Sequence, residues 1–364
     1  MRVLILNRRD IANPAGGGAE IYTHEIAKGL VNEYECEVTV FASGFAGAAA
    51  EEMIDGVRYI RRGNEVTVHL HGFYYALKNR KGFDKIIDEF NGIGFMTFFF
   101  SNSTLLIHQL YKEFWFREMG FMGALPYMLE PIILRLYRKK TTVTISDSTK
   151  KDLESLGFSN IKIVKVAINK GTAETSLSKE SEPVIVFLGR LKSTKRPEDA
   201  IEIFKRVKGK IPEARLWMIG RGPEDGKLKT MAKEMEGVIF MGWVDEEEKM
   251  SLLRRSYVMF VPSIREGFGI NVIEAASVGT PSVGYDVHGI RDAIRQGETG
   301  FLANSLEEAA SRVIELLTNK EHYERISLNC ITYSREFVWS RRVLEFWNII
   351  RAKDMLIKSF NKEQ

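Results

Sequence analysis

The 364 residues carry a formal net charge of +4, with 45% apolar and 27% charged side chains. That length exceeds what one hydrophobic core usually organises, so two domains are expected, and the composition is ordinary for a globular enzyme. A charge so near balance excludes a general nucleic-acid binder, and most of its surplus lies in residues 1–170.

Taken in chain order, the N-terminal half opens with a strand at Val3–Leu6, followed by a Gly/Pro-rich loop and a helical pattern from about Ala19. Further strands are predicted at Glu37–Ala42, Lys85–Asp88, Thr104–Ile107, Thr142–Ile145 and Ile161–Ala167. Between the fourth and fifth of these six, Tyr111–Tyr137 repeats its apolar residues at helical spacing. Residues 169–182 are small and polar and read as a linker. Beyond them strands at Val184–Leu188, Arg215–Ile219, Val238–Met241, Tyr257–Val261 and Pro281–Tyr285 alternate with helices at 197–209, 224–236, 245–255 and 270–278. A last helix is predicted over Ser340–Ile357. Such alternation argues for an α/β fold with parallel sheets covered on both faces. Two doubly wound domains in tandem leave a cleft, and ligands of open parallel sheets bind beyond the carboxyl ends of the strands.

Cys36 and Cys330 stand far apart, which fits neither a disulfide framework nor a metal site and suits a reducing cytoplasm. The histidines show no metal-ligand spacing and no Asp-x-Asp motif occurs, so no metal is expected. Met1–Asn7 lacks the long apolar region and cleavage site of a signal peptide, and no apolar run is long enough to span a bilayer.

The sharpest segment runs from Pro262 to Ala275. Gly267 and Gly269 allow the backbone close to a ligand, and the helix that starts there offers free N–H groups to a diphosphate. Glu266 precedes that helix and Glu274 lies within it, with seven residues between them. A carboxylate beside an anion site is costly unless it accepts hydroxyl hydrogen bonds, which ribose or hexose hydroxyls would donate. A plain strand–helix turn with two solvated acids is the competing reading. A second segment, Val186–Pro197, ends a strand at Leu188 and then carries Arg190 and Lys195, a guanidinium fork and a point charge suited to phosphate oxygens.

The Glu266–Glu274 segment resembles the E-x7-E motif of the retaining glycosyltransferases of family 4, whose GT-B fold sets two Rossmann-like doubly wound domains facing across a cleft. The resemblance implies that Glu266 contacts the transferred sugar and Glu274 the donor ribose. It implies that Arg190 and Lys195 bind the donor diphosphate. Gly242 and Val244, beside Trp243, are similar to the segment that lines the donor base. Gly267, Phe268, Gly269, Ile270 and Asn271 complete the donor set, although Asn271 stands where the family has a branched apolar residue, and Arg196 where it has glycine. Ile219–Pro223 resembles a strand-end loop of the family, and Gly297–Leu302 its closing turn. These matches span nearly all of residues 184–305 in order.

In the N-terminal half, Pro14–Glu20 resembles the family's G-G-x-E loop, so Gly17 and Gly18 are expected near the donor; consecutive glycines allow an anion nest or a mobile loop. His108 ends a strand where many family members carry a histidine near the transferred sugar, and a satisfied buried histidine is the alternative. Ser146 to Leu153 is similar to the family's capped helix start, with Ser or Asp as the cap.

The expected protein is thus a metal-independent retaining hexosyltransferase that needs no cofactor. Its donor would be a nucleoside diphosphate sugar, of UDP or GDP, and its acceptor a glycan, glycolipid or envelope precursor. The expected domains are an acceptor-side unit over 1–170, a donor unit over 183–335 and a C-terminal helix over 336–364 packing back on the first. A non-catalytic sugar-nucleotide binder and a Rossmann oxidoreductase are the alternatives, the latter weakened by the lack of a compact G-x-G-x-x-G after the first strand. The aromatic stretch Phe95–Phe100, then Phe114–Phe116 and Phe121-Met122, lies near Arg117, Arg135, Arg138, Lys139 and Lys140. It suggests peripheral contact with the inner face of a membrane. The alternative is that these aromatics fill the core, with Phe98–Phe100 as a buried strand.

Overall fold

The computed structural model describes residues 1–169 and 179–360; most of the expected linker therefore lies outside the described residues. Two compact units are present, one built from Met1–Ala167 and the chain from Trp339 onward, the other from Ile168–Val338.

The first unit runs β1 (Arg2–Leu6), α1 (Gly18–Tyr34), β2 (Glu37–Ala42), β3 (Glu51–Ile54), β4 (Val57–Arg61), α2 (Val68–Asn79), β5 (Lys85–Glu89), β6 (Ser103–Ile107), α3 (Glu113–Met119), α4 (Ala124–Leu136), β7 (Thr142–Thr144), α5 (Asp147–Ser155) and β8 (Ile161–Ile163). Its sheet has the order β3-β4-β2-β1-β5-β6-β7-β8, parallel throughout except for β3 against β4. The central strands are buried on both faces, which is why β1 and β6 read as unbroken apolar runs. The β3–β4 hairpin, absent from the sequence reading, turns through Asp55 and Gly56, both at positive φ. The strand expected over Ile161–Ala167 stops at Ile163, and Thr97–Phe99 forms a 3-10 turn rather than a strand, anchored because buried Asp88 accepts the Thr97 hydroxyl at 2.8 Å. Helix α5 starts at Ser146, whose hydroxyl accepts the Thr149 N–H.

The second unit runs β9 (Val184–Leu188), α6 (Pro197–Lys208), β10 (Arg215–Ile219), α7 (Asp225–Met231), β11 (Val238–Gly242), α8 (Glu246–Arg255), β12 (Val258–Val261), α9 (Ile270–Ser277), β13 (Ser282–Tyr285), α10 (Ile290–Ala293), β14 (Gly300–Ala303), α11 (Leu306–Thr318) and α12 (Lys320–Ser334). Its sheet is wholly parallel, in the order β11-β10-β9-β12-β13-β14. Part of the expected closing turn is thus strand β14, held in register along β13. The chain leaves β9 toward β10 on one side and later returns to β12 on the other, so the carboxyl ends of β9 and β12 form a topological switch point. Helix α13 (Trp339–Phe360) belongs to the first unit and packs on α1: Trp347 stacks on Tyr34 at 4.8 Å, and Val343 lies where any side chain on Gly29 would have to go.

Candidate active site

In the second unit the two motif loops meet at the switch point. The loop after β9 carries Arg190, which is exposed, and then a 3-10 turn that ends at Lys195. The loop after β12 carries Ser263 and Glu266. A backbone hydrogen bond from Ile264 N–H to Thr194 C=O (3.1 Å) joins the two loops. Lys195 Nζ donates to Glu266 Oε1 in a half-buried ion pair, and the Ser263 hydroxyl donates to the same oxygen at 2.6 Å. Thus the cation of one motif and the first carboxylate of the other, 71 residues apart, share one contact.

Glu266 is fixed from behind by residues that the sequence reading did not single out. Its N–H donates to His288 C=O at 2.9 Å, and His288 Nδ1 lies 3.0 Å from Glu266 C=O. Gly289 follows at φ 83°, and a Cβ there would sit 2.1 Å from Glu266 C=O, so only glycine fits the turn. Gly269 also has a left-handed φ and opens α9, whose first turn presents backbone N–H groups at the switch point. Asn271 donates its side-chain amide to Leu188 C=O (3.0 Å), tying the start of α9 to the end of β9. Phe268 turns its ring into the interior against Phe337, so what it can offer a ligand is backbone. Gly267 and Ile270 are half-buried around it.

Glu274 lies in the second turn of α9, paired with Lys249 of α8 at 2.9 Å; Lys249 also meets Glu246 at 2.7 Å. Burial pushes the Glu274 carboxyl above the ordinary glutamate range, opposed by the charge and hydrogen bond of Lys249. Burial lowers the Lys249 ammonium, but Glu274 and Glu246 outweigh it and hold the group above its usual value. At the end of β11, Gly242 C=O accepts the Gly220 N–H at 2.7 Å; beyond it Trp243 is exposed and Val244 is half-buried.

In the first unit a second polar cluster lies at the carboxyl ends of β1, β5 and β6. Glu89 is fully buried and accepts the Thr23 hydroxyl at 2.6 Å; His108 Nε2 lies 3.1 Å from its other oxygen. The His108 ring meets the edge of Tyr22 at 5.1 Å, and its C=O accepts the Thr149 hydroxyl. Asn91 donates to Asn7 Oδ1 at 3.0 Å alongside. Gly17 and Gly18 do not form an anion nest: Gly17 is extended and no glycine of this loop has positive φ. Instead, the Gly17 N–H donates to the Glu20 carboxyl at 2.7 Å. Burial and then the charge of Glu89 push the Glu20 carboxyl above its ordinary range. None of Glu89, Thr23 or Asn7 belongs to a motif; a polar residue at a strand's carboxyl end is the one signal for Glu89 and Asn7, and Thr23, inside α1, has none.

The family model described as "Glycosyl transferases group 1" matches residues 171–331. Over those residues the C-terminal unit is similar to the group 1 glycosyl transferases. The chain is similar to trehalose synthase of Pyrococcus horikoshii, with 35% identity over 151 residues, 38% of this chain and 36% of that protein. The aligned stretches span well under two thirds of the length of the first curated relatives. Solved structures match along almost the whole chain. Sucrose-phosphate synthase from Thermosynechococcus elongatus superposes with a TM-score of 0.81 at 18% identity, covering 98% of this chain and 99% of that one. HepE of Anabaena, in complex with UDP and glucose, gives 0.73 at 15%, covering 97% and 100%. The chain thus has a GT-B-like fold of two parallel α/β sheets.

Proposed function

We propose that this protein transfers a hexose from a nucleoside diphosphate sugar, of UDP or GDP, to an acceptor hydroxyl with retention of configuration. The observation that carries the reading is the Lys195–Glu266 contact at the β9/β12 switch point. An incoming diphosphate would compete with Glu266 for Lys195 and join Arg190 and the α9 N-terminus, which together stabilise the charge that develops on the leaving group. Glu266, released from Lys195 yet held by Ser263 and by the His288–Gly289 backbone, then accepts from sugar hydroxyls. Glu274 accepts from the ribose, and Gly242 and Val244 border the base.

In this scheme the bond from the anomeric carbon to the diphosphate oxygen breaks with its electron pair going to the diphosphate. The acceptor oxygen bonds to the same face, and its proton passes to the departing phosphate. Glu266 is a positioner and not a base, and no divalent ion is required. His108 serves the sugar or acceptor from the first unit. The acceptor is a carbohydrate or lipid-linked glycan, used in the cytoplasm or at the inner face of a membrane. Support for the donor class comes from the group 1 match and from the UDP bound to HepE of Anabaena, whose fold this chain shares.

Thermal-shift screening with UDP, GDP, ADP, dTDP and their sugars tests this reading, since a bound donor raises the midpoint by mass action. One nucleotide family should stand out, and its sugar should be hydrolysed slowly without acceptor. A shift with nicotinamide cofactors alone would assign an oxidoreductase. Binding with neither hydrolysis nor transfer would assign a sensor.

A further inference from the structure

We propose that the first unit docks on an anionic lipid bilayer through an apolar face built by α3, α4 and the Gly120–Gly123 turn between them, and widened by α2. This partner extends the acceptor side of the proposed reaction without resting on it, because lipid binding is read with no sugar present.

Helix α4 is inverted relative to an ordinary surface helix, which turns its apolar stripe inward. Its carboxylate, Glu130, is buried and accepts the N–H groups of Tyr111 and Lys112 and the indole N–H of Trp115. Leu134 is buried beside it. The opposite side is apolar and exposed: Leu125 (66%), Met128 (65%), Ile132 and Leu136 recur at helical spacing, with Phe121 (93%) and Met122 at the turn before them. An apolar surface of this extent marks an interaction site. Helix α2 repeats the pattern, exposing Leu70 and Tyr74, with Val66 just before it. Aromatic contacts connect the two: Phe73 of α2 meets Phe99 at 5.9 Å, Phe99 meets Phe98 at 5.3 Å, and Phe98 meets Tyr137, next after α4, at 5.5 Å.

Charge decides the occupant. Among the described side chains from 114 to 139, the exposed ionised ones are Arg117, Arg135, Arg138 and Lys139, all basic, whereas the acid Glu130 is buried. Those from 66 to 82 are Lys78, Arg80 and Lys81, all basic. A symmetric pair of copies would set these cations against each other, whereas anionic headgroups neutralise them. Among the described residues no helix is long and apolar enough to cross a membrane, so the face would lie in the interface. The structure also sorts the aromatics of this region: Phe95, Phe100 and Phe114 are core, while Phe99, Phe116 and Phe121 are exposed.

Co-sedimentation of the full chain with phosphatidylcholine vesicles, with and without phosphatidylglycerol, tests the assignment. Pelleting should require the anionic lipid and weaken in high salt. The double variant Arg138→Glu/Lys139→Glu should weaken binding by roughly tenfold or more, given the usual contribution of each basic residue near such a surface. Leu125→Ser/Met128→Ser should abolish it. All four side chains are exposed, so unchanged circular dichroism should accompany both variants. Absence of pelleting with anionic vesicles at low salt overturns the proposal. So does pelleting unaffected by both variants, or a dimer that Leu125→Ser/Met128→Ser dissolves in a protein that ignores lipid.

Discussion

His108 and Glu89 are joined inside the first unit, with 3.1 Å between Nε2 and Oε1 and the glutamate wholly cut off from solvent. The ring is thereby oriented by a group that never reaches the surface. The Thr23 hydroxyl occupies the second oxygen, so the acid is satisfied on both sides.

This arrangement separates a functional histidine from a structural one. If His108 acts on the sugar or acceptor, His108→Ala lowers kcat for transfer and leaves nucleotide affinity nearly unchanged. Glu89→Gln, which can still accept from one partner, should retain more transfer than Glu89→Ala. The alanine variant leaves buried donors unmet, at about 1–3 kcal/mol each, read as a lower denaturant midpoint. Wild-type kcat in a folded His108→Ala protein would reduce the histidine to a packing element.

Glu274 makes a pH-dependent prediction. Its carboxyl sits above the ordinary value of about 4.3, so it loses charge at a higher pH than a solvated glutamate. Nucleotide affinity carried by the ionised form is complete above the raised value and falls as pH drops through it. Folding stability runs the other way: this group's contribution is present below the ordinary value and lost as pH rises through the raised one. Lys249→Met removes the charge that opposes the rise, so the loss of affinity should move to higher pH. Glu274→Ala should weaken nucleotide binding by about 1–3 kcal/mol. Calorimetric titration across pH checks both variants, and superimposable profiles for wild type and Lys249→Met would discard the link.

The diphosphate assignment rests on Arg190 and Lys195, both on a loop outside the core. Arg190→Ala and Lys195→Ala should each depress turnover far more than they lower the thermal midpoint, and added salt should weaken donor binding moderately. Lys195→Ala also leaves Glu266 without its cation, so Lys195→Ala/Glu266→Gln should lose less than the sum of the single losses. Full turnover in both single variants would show that the diphosphate lies elsewhere.

Gly289 tests the support behind Glu266. Gly289→Ala puts a Cβ against Glu266 C=O and forces a left-handed φ on an L-residue, at a cost on the order of 1–3 kcal/mol. The displaced loop should raise KM for the donor. A variant with unchanged KM and unchanged midpoint would mean that the turn yields without moving Glu266.

What could be read from the chain was decided by distance along it. The loops carrying Arg190, Lys195, Glu266 and Glu274 were legible because each motif is compact and follows an apolar strand. The Asp55-Gly56 pair is itself a hairpin signal, and β3 and β4 were missed because β3 is short, exposed and acidic. Contacts such as Glu266–His288 and Glu89–Thr23 join residues 22 and 66 positions apart and leave no periodic trace. The outward face of α4 was also hidden, because helical spacing reveals a stripe without saying which side is covered.

Helix α13 returns to α1 only after the whole second unit has been traversed, and this fixes an order for synthesis on the ribosome. The segment from Ile168 to Val338 emerges as one uninterrupted stretch and can close its sheet while the first unit still lacks its last helix. Until Trp339, Val343 and Trp347 arrive, their contacts with Tyr22, Gly29 and Tyr34 remain unmade. A chain truncated after residue 338 therefore carries a complete second unit and a first unit with an open apolar seam, the form in which chaperone capture or aggregation would begin.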